Sequence, residues 1–194
     1  MSHLKNRLKK VGAPPGSLIY TGELKDNTEI KLFLYTSDTI DEYTPYSIQE
    51  ALKLIQTEKK AWLHISGISD PQIVHAIGKH FKLHPLMLED IMNPAQRSKL
   101  DDYKDAIYIA THAFYVKKDR LIQEQISLVI GSEVLITFSE VPSDLFMPII
   151  TRLMRPGGRM RQRGSDYLAY TILDAIVDNY FLVLEREDEK LEVL

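Results

Sequence analysis

Residues 98 to 138 constrain the fold of this chain most, because they contain four successive segments with the length and composition of β-strands. The turns between the last three segments are short enough for antiparallel hairpins. The run therefore predicts that a large part of the protein is an antiparallel sheet. The predicted strands are Lys99 to Tyr103, Ala106 to Val116, Gln123 to Ile130 and Val134 to Phe138.

Helices are predicted on both sides of this run in the sequence. A capping box at residues 47–50, an Asp-Pro start at residues 70–71 and a His-Pro start at residues 84–85 each precede an apolar periodic segment. Another helix is predicted from Asp144 to Met154. Helices mixed with strands predict an α/β protein of the three-layer α/β/α class, with a mixed, partly antiparallel sheet.

The last thirty residues predict a long helix. Ser165 and Asp166 supply a capping start, residues 167–184 are mostly apolar, and residues 185–190 are all charged. An approximate heptad seam continues through the charged part. No Gly, Asn or Pro stop signal follows, so we expect this helix to continue in a longer protein.

Composition limits the classes of function. Of the 194 residues, 44% are hydrophobic, which is enough for the core of one domain with a helical extension. A net charge of -3 predicts no nucleic-acid partner, and the absence of cysteine excludes disulfides and thiolate ligands. No uninterrupted apolar stretch approaches the roughly 18 residues of a membrane span, so this portion is expected to be soluble.

The six histidines do not predict a transition-metal site. His80 and His84 are four residues apart, but Pro85 argues against a shared helix face. Residues 61–65 are predicted to form a short buried strand, and His64 within it is expected to be a core residue. The chain also has no Gly-x-Ser-x-Gly elbow, no Walker loop and no Gly-x-Gly-x-x-Gly motif.

Acidic residues in apolar surroundings give the stronger signal. The segments 86–92 and 173–178 place Glu89, Asp90 and Asp174 among apolar neighbours, where an unpaired charge is costly. One interpretation is a salt bridge to Arg97, Lys99 or another nearby arginine. The other is a site for a hard cation, because carboxylate oxygens without imidazole or thiolate suit Mg²⁺ or Ca²⁺.

A basic segment precedes the final helix, and its arginines are Arg152, Arg155, Arg159, Arg161 and Arg163. Aromatic residues are not interleaved as in a platform for single-stranded nucleic acid. We expect a solvated loop, or a set of partners for acidic residues of a neighbouring subunit.

Three motifs occur in order along the chain: His84-Pro85-Leu86 with Leu88-Glu89-Asp90-Ile91, Asn93, Gln96-Arg97 and Lys99; Glu124-Gln125-Ile126-Ser127-Leu128; and Arg163, Asp166 to Tyr170 with Leu173 to Phe181. Pro14-Pro15-Gly16 with Tyr20-Thr21-Gly22 precedes them near the start. Together these segments resemble the cytoplasmic N-terminal domain of the CorA family of magnesium/cobalt transport proteins. Ser98 departs from the family, where proline is common.

The resemblance implies a domain arrangement. Residues 1–16 would be a flexible N-terminal arm, residues 17–164 the α/β/α cytoplasmic domain, and residues 165–194 a long helix leading toward an absent stalk and transmembrane region. Gly-Met-Asn, which ends the pore helix in this family, does not occur. The fragment itself is expected to be monomeric or weakly associated.

The resemblance also implies site residues. Asp90 would bind a regulatory cation between subunits, and Glu89 and Asp174 would form a neighbouring second site. The implied cofactor is Mg²⁺, for which Co²⁺ or another divalent cation could substitute. The usual partner, an aspartate on another subunit's stalk helix, would lie beyond Leu194.

The function implied is divalent-cation sensing by a CorA-like magnesium/cobalt channel, not an enzymatic reaction. The whole protein would be a homopentamer in the cell membrane, with this portion in the cytoplasm and no nucleic-acid partner. Two alternatives stay open at this point. They are the same domain of a related zinc transporter and a soluble carboxylate-dependent metalloenzyme.

Overall fold

The computed structural model describes residues 11–22, 27–55, 59–117 and 120–192. Residues 1–10 of the predicted arm and the centre of the predicted turn at 117–120 lie outside these residues. The strands are β1 (Glu29–Tyr35), β2 (Ile40–Tyr43), β3 (Lys60–Ser66), β4 (Lys99–Tyr103), β5 (Ala106–Lys117), β6 (Arg120–Ile130) and β7 (Val134–Ser139). The helices are α1 (Ile48–Leu54), α2 (Pro71–Phe81), α3 (Pro85–Ile91), α4 (Met147–Met154), α5 (Arg159–Gln162) and α6 (Ser165–Glu192), with a 3₁₀ turn at Asp144–Phe146.

All seven strands form one sheet in the order β2-β1-β3-β7-β6-β5-β4. Only the β3–β7 pair is parallel among these strands, and the other five pairs are antiparallel. The sheet is therefore mixed: the antiparallel strands β2, β1 and β3 join, through the parallel β3–β7 pair, the antiparallel run of strands from residue 99 to residue 139. This confirms the predicted fold class.

Helices cover both faces of the sheet. Helices α1, α2 and α3 pack against one face of the sheet, and the core between them contains Leu63, Ile77 and Ile91. Helices α4, α5 and α6 and the 3₁₀ turn pack against the other face of the sheet, and the core between them contains Trp62 and Leu168. Trp62 and Leu63 are neighbours on β3, and they enter different cores because successive side chains of a strand point to opposite faces.

Local sequence signals explain most helix starts. The Ser47 hydroxyl accepts a hydrogen bond from the Glu50 N–H at 3.2 Å, and the Asp70 carboxylate accepts one from the Gln72 N–H at 2.9 Å. The Glu50 carboxylate accepts a hydrogen bond from the N–H of Tyr46, one residue before the N-cap residue Ser47. The return hydrogen bond of the capping box is therefore displaced by one residue. Strand β2 was not predicted, because its four residues alternate only weakly.

Helix α6 is attached to the sheet at its start. Ser165 donates a hydrogen bond to the Gly131 carbonyl in the β6–β7 turn, while the Asp166 carboxylate accepts from the Tyr167 N–H at 2.8 Å. Within the described residues, α6 is the one helix long and apolar enough to cross a membrane by length and composition. Its apolar stretch is interrupted by Asp174 and Asp178, in agreement with the sequence analysis, and 28% of the apolar window is buried within the protein.

Candidate functional site

Helix α3 carries the two adjacent carboxylates predicted from the sequence. It begins after His84, whose Nδ1 accepts a hydrogen bond from the backbone two residues later at 3.2 Å. Glu89 and Asp90 lie on its partly exposed side. The buried side chains of the helix are Met87, Leu88 and Ile91.

Gly78 allows α3 to approach α2 closely. A Cβ at this position would lie 2.2 Å from Cδ1 of Leu88. A larger residue would force the Leu88 side chain or α3 itself to shift, so the close packing of α3 against α2 depends on this glycine.

Asp90 forms an ion pair with Lys99 of β4. The Lys99 Nζ lies 2.7 Å from Oδ2 of Asp90 and 2.6 Å from Oδ2 of Asp101, so one ammonium bridges two carboxylates. The exposed fractions of these side chains are 17% for Asp90, 29% for Lys99 and 35% for Asp101. The salt bridge that the sequence left open as one interpretation of Asp90 is therefore present.

The electrostatic balance at Lys99 favours its charged form. Burial lowers the pKa of Lys99, but its hydrogen bonds with Asp101 and Asp90 outweigh that effect and raise the pKa above its ordinary value. Its Nζ also lies 5.8 Å from the centre of the Tyr108 ring. Lys99 is thus an ammonium ion at physiological pH.

The register of β4 brings Lys99 and Asp101 to this position. These residues pair with Ala110 and Tyr108 of β5, which belong to the core on the α3 side of the sheet. Side chains two apart in a strand share a face, so Lys99 and Asp101 both point toward α3. β4 is also an edge strand, and charged side chains are common on such edges because they discourage further strand pairing.

Glu89 has a different partner, in the N-terminal segment. Its Oε2 accepts a hydrogen bond from the Gly16 N–H at 2.7 Å. Gly16 has φ of +83°, and a Cβ there would lie 2.9 Å from Cβ of Pro85. The Pro-Pro-Gly sequence at residues 14–16 therefore brings a glycine to a point where only a residue without a side chain fits well.

A buried glutamine anchors the backbone at Asp90. The Gln125 Nε2 donates to the carbonyl oxygen of Asp90 at 3.2 Å and to the Ser127 hydroxyl at 3.2 Å. Gln125 is only 2% exposed. The end of α3 is thus attached to the middle of the sheet, and the Glu-Gln-Ile-Ser motif supports the site without contributing a carboxylate to it.

Asp174 is not on the same layer as the other two predicted residues. It is exposed on α6, which packs against the opposite face of the sheet from α3. Within the part of the chain that the structure describes, no group of three or more His, Asp or Glu side chains is arranged to hold a metal ion. A cation shared by Asp174 and Glu89 would therefore need carboxylates from two copies of the chain.

An open groove of about 540 Å³ lies between α3 and β4. Its acidic side chains are Glu89, Asp90, Asp101 and Asp102, and Lys99 is its basic side chain. Sequence reasoning missed Asp101 and Asp102. The signal available was the Lys-x-Asp alternation on the strand that follows the Gln96-Arg97 motif.

A second acidic pair lies deep in the protein. Glu124 is 1% exposed and Glu140 is 8% exposed. The Glu124 carboxylate accepts hydrogen bonds from the Tyr115 hydroxyl at 2.8 Å and from the Val141 N–H at 3.3 Å. The Glu140 carboxylate accepts one from the Gln125 N–H at 3.0 Å. These carboxylates supply acceptors where the β6–β7 ladder ends at the Ile126–Ser139 pair.

Burial raises the pKa of Glu124 from its ordinary 4.5 to about 7. Hydrogen bonds from Tyr115 and Val141 lower the pKa, while the charge of Glu140 raises it. Glu124 is therefore partly protonated near neutral pH. His64, predicted as a core residue, is 5% exposed, and burial lowers its pKa to about 3, so it is neutral.

The basic segment is more ordered than predicted. Residues 159–162 form the short helix α5, and Arg161 is buried. Its guanidinium donates to the Leu153 carbonyl at 2.8 Å, to the Met154 carbonyl at 2.5 Å and to the Asp38 carbonyl at 3.3 Å. Arg161 thus caps the end of α4, and the prediction of a solvated loop is wrong for this arginine. The other four arginines are exposed.

The chain is similar to known proteins in both sequence and structure. A sequence profile described as "CorA-like Mg2+ transporter protein" matches residues 58–194. The "Cobalt/magnesium transport protein CorA" of Thermotoga maritima is 34% identical over 187 residues, which are 95% of this chain and 53% of that protein. The chain therefore spans about half the length of this curated relative.

Two solved structures have similar folds at low sequence identity. The soluble domain of CorA from Methanocaldococcus jannaschii has a TM-score of 0.62 at 14% identity, covering 83% of this chain and 61% of that one. The ZntB cytoplasmic domain from Vibrio parahaemolyticus has a TM-score of 0.65 at 15% identity, covering 86% of this chain and 65% of that one. Identities this low establish the fold alone.

Proposed function

The chain belongs to the CorA-like Mg²⁺ transporter family, and from this we propose that it is the cytoplasmic, cation-sensing domain of a magnesium/cobalt ion channel. Its relatives are named as metal ion transporters, not as enzymes. In this proposal residues 17–164 form the sensing domain and the helix from 165 to 194 leads toward a stalk and membrane region. The complete protein would be a homopentamer in the cell membrane.

The acidic groove is the observation that carries the proposal. Glu89, Asp90, Asp101 and Asp102 line an opening that solvent can enter. Carboxylate and water oxygens are the ligands that Mg²⁺ prefers, and Mg²⁺ keeps several waters when only one or two carboxylates bind it. A partly exposed site of this kind suits weak, reversible binding of an abundant ion.

Binding between subunits would couple the cation to channel state. Two carboxylates about 5 Å apart repel each other by roughly 3 kcal/mol at an effective dielectric of 20. A divalent ion between facing subunits turns this repulsion into attraction and favours the closed arrangement. Loss of internal Mg²⁺ would then shift the population toward open states. Asp174 of one subunit with Glu89 of the next would form the second position.

The test is Mg²⁺ titration of the 194-residue chain, followed by calorimetry and by the chemical shifts of α3. We expect weak binding of Mg²⁺ and Co²⁺ that Asp90→Asn weakens about tenfold, since one charge interaction of about 1.4 kcal/mol corresponds to that factor. Asp41→Asn is the matched control, because Asp41 pairs with Lys59 at 2.7 Å on another edge of the protein. Equal affinity of Asp90→Asn and the parent would refute a cation site at Asp90.

A zinc transporter is the competing function, supported only by the structural likeness to the ZntB domain. The same titration with Zn²⁺ distinguishes the zinc function from the magnesium function. Zn²⁺ prefers nitrogen and sulfur ligands, which the groove does not offer. Tight Zn²⁺ binding that survives Asp90→Asn would favour the zinc function over the magnesium one.

A further inference from the structure

Lys99 holds the position that a cation would take at Asp90. Its Nζ is 2.7 Å from the Asp90 carboxylate, the distance of a strong charge-assisted hydrogen bond. A divalent ion at this carboxylate would be repelled by the adjacent ammonium, so the two cations compete for Asp90. The ammonium is covalently tethered, so its local concentration at Asp90 does not depend on the solution.

Asp101 is a second carboxylate partner for the Lys99 ammonium. The same Nζ lies 2.6 Å from Asp101, which is two residues along β4 on the same face. If Lys99 leaves Asp90, it keeps a carboxylate partner and its charge stays solvated and paired. The exchange therefore avoids leaving an isolated, half-buried ammonium, which would be costly.

Resting on the proposed function, we propose that Lys99 is a tethered competitor, and that a divalent cation binds Asp90 most strongly when it displaces the Lys99 ammonium onto Asp101. Lys99 thereby sets both the threshold and the charge selectivity of the site. A monovalent ion offers Asp90 no more charge than Lys99 already does, and it gains little by the exchange. A divalent ion offers twice the charge at the same position.

The groove geometry supports an exchange in place of a fixed structural pair. Asp90, Lys99 and Asp101 all line the open groove, so an arriving ion reaches the pair without disturbing the core. The backbone of α3 at Asp90 is held independently by Gln125. Loss of the Lys99 contact therefore leaves the Asp90 carboxylate in place for the incoming ion.

The experiment measures Mg²⁺ affinity of the 194-residue chain by calorimetry in the parent, Lys99→Met and Lys104→Met. Methionine keeps the length and apolar stem of Lys99. Lys104 is exposed in the β4–β5 turn, so its removal changes net charge equally near the site without touching Asp90. We expect Lys99→Met to bind Mg²⁺ about fivefold more tightly, as loss of a partly exposed ion-pair competitor predicts, and Lys104→Met to change affinity less than twofold.

A second readout concerns monovalent ions. At constant ionic strength, replacing a bulky organic cation by K⁺ should weaken Mg²⁺ binding in Lys99→Met, because K⁺ then competes for a bare carboxylate. The parent should show no such change. Lys99→Gln, which is neutral but polar, provides the same test if Lys99→Met folds poorly, as judged by circular dichroism.

The outcomes distinguish this inference from the proposed function. If Asp90→Asn abolishes binding but Lys99→Met and Lys99→Gln bind no more tightly than the parent, the tethered competitor is refuted and the cation site stands. If Lys104→Met raises affinity as much as Lys99→Met, the effect is one of general charge and the exchange is refuted. If no variant shows Asp90-dependent binding, both proposals fail.

Discussion

The protein contains two acidic pairs that differ in how their charges are satisfied. Asp90 and Asp101 share the partly exposed ammonium of Lys99 beside an open groove. Glu124 and Glu140 are held by backbone N–H groups and by Tyr115 in the interior. In our proposal the first pair exchanges its partner for an ion from solution. In the second pair, Glu124 exchanges a proton.

The largest effect is expected at the buried pair. Glu124→Ala removes the acceptor of the Tyr115 hydroxyl and of the Val141 N–H and leaves a cavity, so the free energy of unfolding should fall by about 2–4 kcal/mol. Chemical denaturation measures this loss. The control is Glu29→Ala, an exposed strand glutamate, which should change stability by less than about 0.5 kcal/mol. Similar losses at both positions would show that the network is not important for stability.

The next effect is the pH dependence that Glu124 gives to stability. The pKa of Glu124 is raised to about 7, so the folded state holds this proton more tightly than the unfolded chain does. The resulting stabilisation, at most about 3 kcal/mol, is fully present below pH 4.5 and is lost as the pH rises through about 7.

Glu124→Gln isolates this pH effect, because it cannot titrate. The lowered pKa of His64 works in the opposite direction at acid pH, so the quantity to follow is the difference in unfolding free energy between parent and variant. The parent should lose more stability than Glu124→Gln between pH 4.5 and about 7. Parallel curves would mean that Glu124 titrates normally.

The smallest effect is expected at the groove. Asp90→Asn should lower the unfolding free energy by no more than about 1 kcal/mol, because a partly exposed ion pair contributes little. Raising the salt concentration to about 1 M should reduce this difference further. The Debye length is then only about 3 Å, so interactions between exposed charges are largely screened. The loss in Glu124→Ala should be insensitive to salt. A large, salt-independent loss in Asp90→Asn would erase the distinction between the two pairs.

The local signals of the sequence predicted much of the architecture. Strand β4 was predicted with its observed ends, and the starts of α2 and α3 follow from Asp70–Pro71 and His84–Pro85. Strand β6 begins three residues earlier than predicted, at Arg120, because its pairing with β5 continues to Lys117. Pairing partners extend a strand past the point where its own alternation ends, and a single segment does not reveal this.

The candidate site was predicted only in part. Glu89 and Asp90 were identified because two charges within an apolar helical turn violate the usual pattern. Asp101 was missed because a charged residue on an alternating edge strand looks ordinary. The separation of Asp174 from α3 by the thickness of the sheet was also not accessible, since face assignment requires knowing which helices pack on which side.

The sequence by itself determined the fold class, the helix caps, the family and the acidic character of α3, because these depend on residue types at short and regular spacings. The tertiary structure decided which charges meet. It brought Lys99 between Asp90 and Asp101, Gly16 onto Glu89, and Tyr115 onto Glu124. Pair energies depend on distance and burial, and both are properties of the packed sheet and helices, not of spacing along the chain.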